Sequence, residues 1–443
     1  MRRLFSLVAG VALALVAAGP AQAQERVAIV GGRVVTNMGP AIDGGTVLLS
    51  GGRVEAVLPA GAAVPAGYRS VDASGKWVTP GLFAGISQLG AVEVNAVDSS
   101  NDTLPRKSPA SAALRLDVAI DLTETEIAVT RLSGVTAAAT APFPGRTLFA
   151  GQGAVVSMAD GGTTPLKRRA FQYVAYGELG AEIAGGSRPA AWNEIVNALD
   201  EAKRVQSGIL PPMRDQHMDL RVTRDDAEAL VPVLRGEQPL LVRVNKAADI
   251  RQVLTLRQLY PGIRLVLVEA REGWLVADTI ARAGVPVITL GMDNLPGSFE
   301  TIASTMSNVG RLVRAGVKVG LGTPDLDASF QPRLLPQYAG NMVAQGRLPG
   351  GVGLSWDQAF AAISRTPAEI FGMTELGVLS RGASADVVLW SGDPLELSSA
   401  PEAIFIGGIA QPMESRQTRL ARRYLPNQPV SPPPAWRATG ATQ

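Results

Sequence analysis

From Leu82 onward, short apolar runs alternate with longer segments of helical periodicity. That alternation restricts the chain to an α/β architecture of parallel strands joined by crossover helices. Residues 135–140, 239–245, 264–269, 285–290 and 317–321 are the strand runs. Residues 127–132, 225–234, 248–260, 273–283 and 299–315 carry helical periodicity, and Thr223 or Asp225 caps the second of these. Residues 354–373 form a helix pair broken at Thr366-Pro367. Repeated units of this length suit a (β/α)8 barrel. Residues 150–214 are less regular, and no strands are assigned there.

The segment ahead of the barrel reads differently. Residues 26–30 precede Gly31-Gly32, and residues 46–50 and 53–57 flank Gly51-Gly52. Two strand-like runs joined by Gly-Gly predict a hairpin. Residues 376–390 and 403–406 return to short strands after the last helix. Beyond Arg423 the prolines at 426, 429 and 432–434 predict an extended tail.

The first 23 residues read as a secretory signal. Arg2 and Arg3 precede an uncharged apolar run, and Ala21-Gln22-Ala23 is a cleavage site of the small-x-small kind. The expected location is therefore periplasmic or secreted. The chain has 41 Lys+Arg and 39 Asp+Glu; removing Arg2 and Arg3 leaves 39 against 39. A neutral mature chain argues against nucleic acid and against a membrane surface as partner once the signal is cleaved. Without cysteine, disulfides and thiolate metal sites are excluded. The expected boundaries are 1–23 for the signal, 24–79 and 374–415 for the two parts of the β-domain, 80–373 for the barrel and 416–443 for a Pro-rich tail.

The junction Val78-Thr79-Pro80-Gly81-Leu82-Phe83-Ala84-Gly85-Ile86-Ser87-Gln88-Leu89-Gly90 resembles the signature of the amidohydrolase superfamily. The C-terminal block carrying Gly377, Gly382, Ala385, Asp386, Asp393 and Pro394 resembles that family's return to its small β-domain. The words Gly134-Val135-Thr136, Gly151-Gln152-Gly153, Asn294-Leu295-Pro296-Gly297-Ser298 and Leu321-Gly322-Thr323 are most similar to the imidazolonepropionase-like branch. The resemblance covers residues 25–411. It implies a small composite β-sandwich domain built from the N- and C-terminal segments, a barrel whose C-terminal mouth holds a catalytic metal on histidines and carboxylates, and hydrolysis of C–N bonds other than peptide bonds in cyclic amides or similar substrates.

The residues depart from that pattern at the metal. Ile86 and Gln88 stand where the family has its paired histidines. Arg243 and Asn245 stand where the strand 242–247 would carry imidazoles, and Glu269-Ala270-Arg271 where a further histidine is frequent. The carboxylate of the last strand comes one residue late, in Thr323-Pro324-Asp325, which leaves Asp325 as the candidate catalytic residue. The whole chain has one histidine, His217, which reads as a surface-loop residue. Zinc is not expected, since its sites take imidazole, thiolate and carboxylate donors. Mg²⁺ or Ca²⁺ on oxygen ligands would draw on Glu93, Asp98, Asp102, Glu269, Asp293, Asp325 and Asp327, but no oxygen-ligand spacing is present. Glu93 with Asp325 or Glu269 is a candidate metal-free acid–base pair. Arg243, Lys246 and Arg271 would place cations near the metal's position, either clamping an anionic ligand or pairing internally with Asp325 or Glu269. No phosphate loop follows Gly151-Gln152-Gly153, which reads as a tight turn at the mouth.

The expectation is thus an exported protein of this superfamily without zinc and without a cofactor. It acts as a binding or partner subunit for a small-molecule ligand, a homologous metal-competent chain or a second copy of itself. The alternative is a C–N hydrolase using metal-free or oxygen-ligand metal chemistry.

Overall fold

A computed structural model describes residues 25–94, 97–108, 110–208, 222–324 and 331–425. The signal segment 1–23, His217, Asp325, Asp327 and the proline-rich end of the chain lie outside the described residues.

The small domain is built on an eight-stranded sheet to which both ends of the chain contribute strands. Its N-terminal strands are β1 (Val27–Val34), β2 (Ile42–Ser50), β3 (Arg53–Leu58), β4 (Arg69–Asp72) and β5 (Trp77–Pro80). The expected hairpin is β2–β3, turned by Gly51 (φ 57°) and Gly52 (φ 74°), a geometry that suits glycine at both positions. Gly31-Gly32 is no turn. The strand continues through it as an irregularity in register, with Gly31 at φ 81°.

Eight barrel strands follow in spatial order β6 to β13: β6 (Leu82–Ser87), β7 (Val135–Thr140), β8 (Phe149–Ser157), β9 (Lys167–Ala175), β10 (Leu240–Val244), β11 (Leu265–Glu269), β12 (Val287–Thr289) and β13 (Val319–Leu321). The expected barrel is present, with one departure. β8 runs antiparallel to both neighbours. The connections on either side of it are too short to carry the crossover that a parallel pair requires, so the chain makes hairpins there. Gly151-Gln152-Gly153 lies within β8, not in a turn at the mouth. A side chain at Gly153 would stand 2.1 Å from the Phe171 ring, which explains the glycine.

The barrel nearly closes between β13 and β6. The Thr323 N–H donates to the Ile86 carbonyl at 2.8 Å, and a side chain at Gly322 would meet the Ile86 nitrogen at 2.5 Å. Alternation along each strand divides two cores. Phe83, Phe171, Tyr173, Leu241, Val266 and Val268 fill the interior, while Leu240, Val242 and Val244 face the outer helical layer. Long helices such as Arg188–Gln206 and Arg224–Leu234 make that layer; Thr223 caps the latter with a reciprocal pair to Asp226. The helix pair Trp356–Ala362 and Arg365–Ile370 breaks at Ile363-Ser364 rather than at Thr366-Pro367. A proline within the first turn costs no helical hydrogen bond.

The chain then returns to the small sheet as β14 (Val387–Trp390), β15 (Pro401–Ile406) and β16 (Ile409–Ala410). Asp386 is buried and accepts from the Gly407 N–H (2.9 Å) and the Ser384 hydroxyl (2.8 Å). Burial pushes its carboxyl above the ordinary value. The Trp356 indole donates to Asp393 at 2.9 Å. Asp386 thus holds the small domain's own segments together, and Asp393 ties that domain to the barrel helix Trp356–Ala362. The chain does not go straight into an extended tail at residue 416: Arg416–Tyr424 is a helix.

Candidate functional site at the barrel mouth

Arg243 is the inward residue of β10 one step nearer the mouth than Leu241. β11 runs beside it in parallel register, Val244 against Glu269. Glu269 and the next residue, Ala270, have φ of 69° and 46°. Residues with a Cβ avoid that region at a cost of order 1–3 kcal/mol each, and such strain clusters at functional sites. The turn is pinned by the Thr289 hydroxyl on the Glu269 carbonyl (2.7 Å) and by the Ala270 N–H on the Val244 carbonyl (2.9 Å).

The result is a buried polar network. Arg243 Nε donates to Glu269 Oε1 at 2.6 Å, and Asn245 Nδ2 donates to Glu269 Oε2 at 2.6 Å. The same amide reaches Glu300 Oε1 at 3.1 Å. Glu300 Oε2 accepts from the Glu178 N–H at 2.6 Å. Arg188 lies 4.0 Å from Glu300 and donates to Asp249 at 2.8 Å. Burial works against the charge on Arg243, but Glu269, Tyr173 and Glu300 outweigh it and hold the guanidinium above its ordinary value. Burial also pushes the Tyr173 hydroxyl up, with Glu269 adding to it. The Phe143 ring lies 5.9 Å from the Arg243 guanidinium.

The other sequence-selected residues are placed as follows. Ile86 is buried, and its carbonyl serves the barrel seam. Gln88 is buried and donates to the Thr103 hydroxyl at 2.7 Å. Arg271 pairs with Asp293 at 2.6 Å, and its N–H donates to Asn245 Oδ1 at 3.2 Å. Lys246 is exposed, so it does not join the mouth cations. Glu93, Asp98 and Asp102 are exposed, and Asp98 pairs with Arg106 at 2.9 Å. Glu269, by contrast with Glu93, is buried. Asp325 and Asp327 lie outside the described residues.

Glu178, Arg188, Asp249 and Glu300 were not singled out in the sequence, being isolated charges on helices and loops with no spacing to mark them. Gly177 lies against this network. It has φ 88°, and a side chain there would stand 2.5 Å from Glu300 Oε2.

The donor set does not fit zinc. Ile86 has no donor atom, Arg243 brings a cation, and both Glu269 oxygens are occupied by N–H donors. Among the described residues no three His, Cys, Asp or Glu side chains are grouped to hold a metal ion.

Beside the mouth, Glu124 begins the helix Thr125–Arg131. Its Oε2 is buried without a hydrogen-bond partner. Burial, then the charges of Asp121, Glu93 and Glu126, push its carboxyl up from the ordinary 4.5 to about 7, partly offset by the Gly90 N–H. The folded chain holds this proton more tightly than the unfolded one, so stability falls as pH rises from 4.5 to about 7. Glu124→Gln is expected to remove that slope and to stabilise the protein at pH 8 by about 1 kcal/mol, allowing for partial exposure. Urea unfolding at pH 5 and pH 8 checks it.

Eight strands closed on an interior core, a mouth network on β10 and β11, and a small sheet built from both chain ends define the architecture. Comparison with known proteins gives it a name. Residues 259–415 match the amidohydrolase family. The amidohydrolase from Thermotoga maritima MSB8 superposes with a TM-score of 0.76 at 21% identity, covering 87% of this chain and 99% of that one. A zinc-bound adenosine deaminase from Xanthomonas campestris superposes with a TM-score of 0.53 at 14% identity, covering 90% and 96%. Amidohydrolase tasK of Hapsidospora irregularis is 27% identical over 188 residues, which span 42% of this chain and 18% of that protein. This chain thus matches less than a fifth of its curated relative's length. The fold, a barrel with an accessory sheet, is thus similar to that of the Thermotoga maritima amidohydrolase.

Proposed function

We propose that this chain is an exported protein of the amidohydrolase fold that works without zinc, as a binding or partner subunit. One observation carries the reading: the Arg243 guanidinium, 2.6 Å from Glu269, stands at the strand end where the family resemblance calls for imidazole. A guanidinium supplies a fixed positive charge but can neither ligate a metal nor lower the pKa of a bound water. It can orient an anionic small molecule through hydrogen bonds at a mouth already built of paired charges. The family resemblance to the imidazolonepropionase-like branch supports a cyclic, amide-like ligand of that kind. A homologous chain with intact histidines, or a second copy, is the partner this reading allows.

The second reading is hydrolysis of a C–N bond in a cyclic amide or similar substrate, by acid–base chemistry or an oxygen-ligated metal. The paired positive-φ residues Glu269 and Ala270 favour it, because backbone strain of this kind accompanies catalytic sites. Among the similar structures, hydrolases support it as well.

Metal analysis and assay separate the two. The purified mature chain is expected to carry well under one equivalent of zinc and to leave cyclic amides and dipeptides unhydrolysed, with or without added Zn²⁺ or Mn²⁺. Stoichiometric metal together with chelator-sensitive turnover would overturn the binding role.

A further inference from the structure

The helix Arg416–Tyr424 differs from the other α-helices among the described residues in having no buried residue; every position from 416 to 425 is exposed. Its sequence still specifies a helix. The Thr418 N–H donates to the Ser415 hydroxyl at 3.2 Å, and the Ser415 N–H donates to the Thr418 hydroxyl at 2.8 Å, a reciprocal cap. A helix this short with no buried residue is marginal in water. Its stability calls for a surface.

Its two faces say which surface. At about 100° per residue, Arg416, Arg419, Arg422 and Arg423 fall within an arc of about 120°. Leu420, Ala421, Tyr424 and Leu425 fall within an opposite arc of about 140°, interrupted by one polar residue, Gln417. Leu420 is 41% exposed, Tyr424 70% and Leu425 66%. No acidic residue occurs from 416 to 425. Arg422 pairs with Glu414 at 2.7 Å, and among the described residues the other three arginines have no carboxylate at ion-pair distance.

We propose that this helix lies in the plane of an anionic phospholipid surface, with its arginines at the headgroups and Leu420, Tyr424 and Leu425 in the acyl boundary. A polyanion such as nucleic acid would engage the arginines and leave the apolar face in water; a bilayer interface accepts both faces at once. The near-balance of charge over the whole chain, formally +2, does not weigh against this. Four arginines in nine residues form a local charge that the total hides.

The test is flotation of the full chain with vesicles of phosphatidylcholine alone or with phosphatidylglycerol, at low and high salt. Binding is expected only with phosphatidylglycerol, weakening with salt. The variant with Arg416, Arg419, Arg422 and Arg423 all changed to Gln is expected to bind at least tenfold more weakly. The variant with Leu420, Tyr424 and Leu425 all changed to Ser is expected to bind at least threefold more weakly. Both should melt with the natural chain, since none of these side chains is buried. No binding to phosphatidylglycerol vesicles overturns the proposal, as does equal binding to pure phosphatidylcholine. An apolar-face variant that binds as tightly as the natural chain overturns insertion. Retention on duplex DNA without vesicle binding assigns the arginines to nucleic acid instead.

Discussion

Arg243→Met is expected to destabilise the protein by about 3–5 kcal/mol, the loss typical when one partner of a buried ion pair is removed. The side chain of Glu269 is 2% exposed and that of Arg243 18%, so solvent cannot take over the charge left behind. Asn245 would remain as the shared donor between Glu269 and Glu300, holding two carboxylates together without the cation that separates their repulsion. The double variant Arg243→Met with Glu269→Met should recover most of the loss, because removing both charges of a buried pair is commonly neutral or favourable. Arg243→Lys should fall between, keeping the charge but losing the planar fork. Urea unfolding of the three variants measures this directly. A loss below about 1 kcal/mol for Arg243→Met would mean that the pair is solvated and the mouth open, as for surface pairs. Ligand retention should track the cation separately. The double variant regains stability but not the anion-orienting group, so a binding role predicts a stable protein that no longer holds its ligand.

The sequence made the barrel legible because its interior obeys simple periods. The runs 264–269 and 317–321 have apolar centres, Leu265–Val268 and Val319–Leu321, as strands covered on both faces must have, and most such runs proved to be strands within a residue or two. β8 and β9 resisted the same treatment. Their core contacts depend on glycines fitted around Phe171 and on irregular register, neither of which leaves a periodic trace. At the mouth, the strand-borne residues were legible and the rest were not. Arg243, Asn245 and Glu269 sit at predictable strand ends. Glu300, Glu178, Arg188 and Asp249 reach the network from helices and loops far apart in the chain. Only the fold brings them together, so local spacing cannot reveal them. The C-terminal helix was missed for the opposite reason. Its signal is local and clear, but total charge averaged it away and the neighbouring prolines dominated the reading.

The closed end of the barrel provides the stability change that should leave the mouth intact. Phe371 follows the helix Arg365–Ile370 and is fully buried, its ring centroid 5.1 Å from that of Phe171 and 6.0 Å from that of Phe83. These three rings plug the barrel at the starts of β6 and β9, where the Lys167 ammonium donates to the Phe371 carbonyl at 2.9 Å. Phe371→Ala is expected to cost about 3–5 kcal/mol, combining lost transfer energy with a cavity that strands fixed by hydrogen bonds cannot collapse to fill. Loss of the two ring pairs adds to the transfer term. Phe371→Leu, which keeps most of the volume, should cost much less. Thermal and urea unfolding of both variants give the comparison. At temperatures where Phe371→Ala is still folded, its ligand retention should equal that of the natural chain, whereas the Arg243 and Glu269 double variant should be stable and empty. Opposite outcomes for the two ends of one barrel would separate what holds the fold together from what the mouth does with it. Parallel losses of stability and binding in both would mean that the mouth network is only another part of the core.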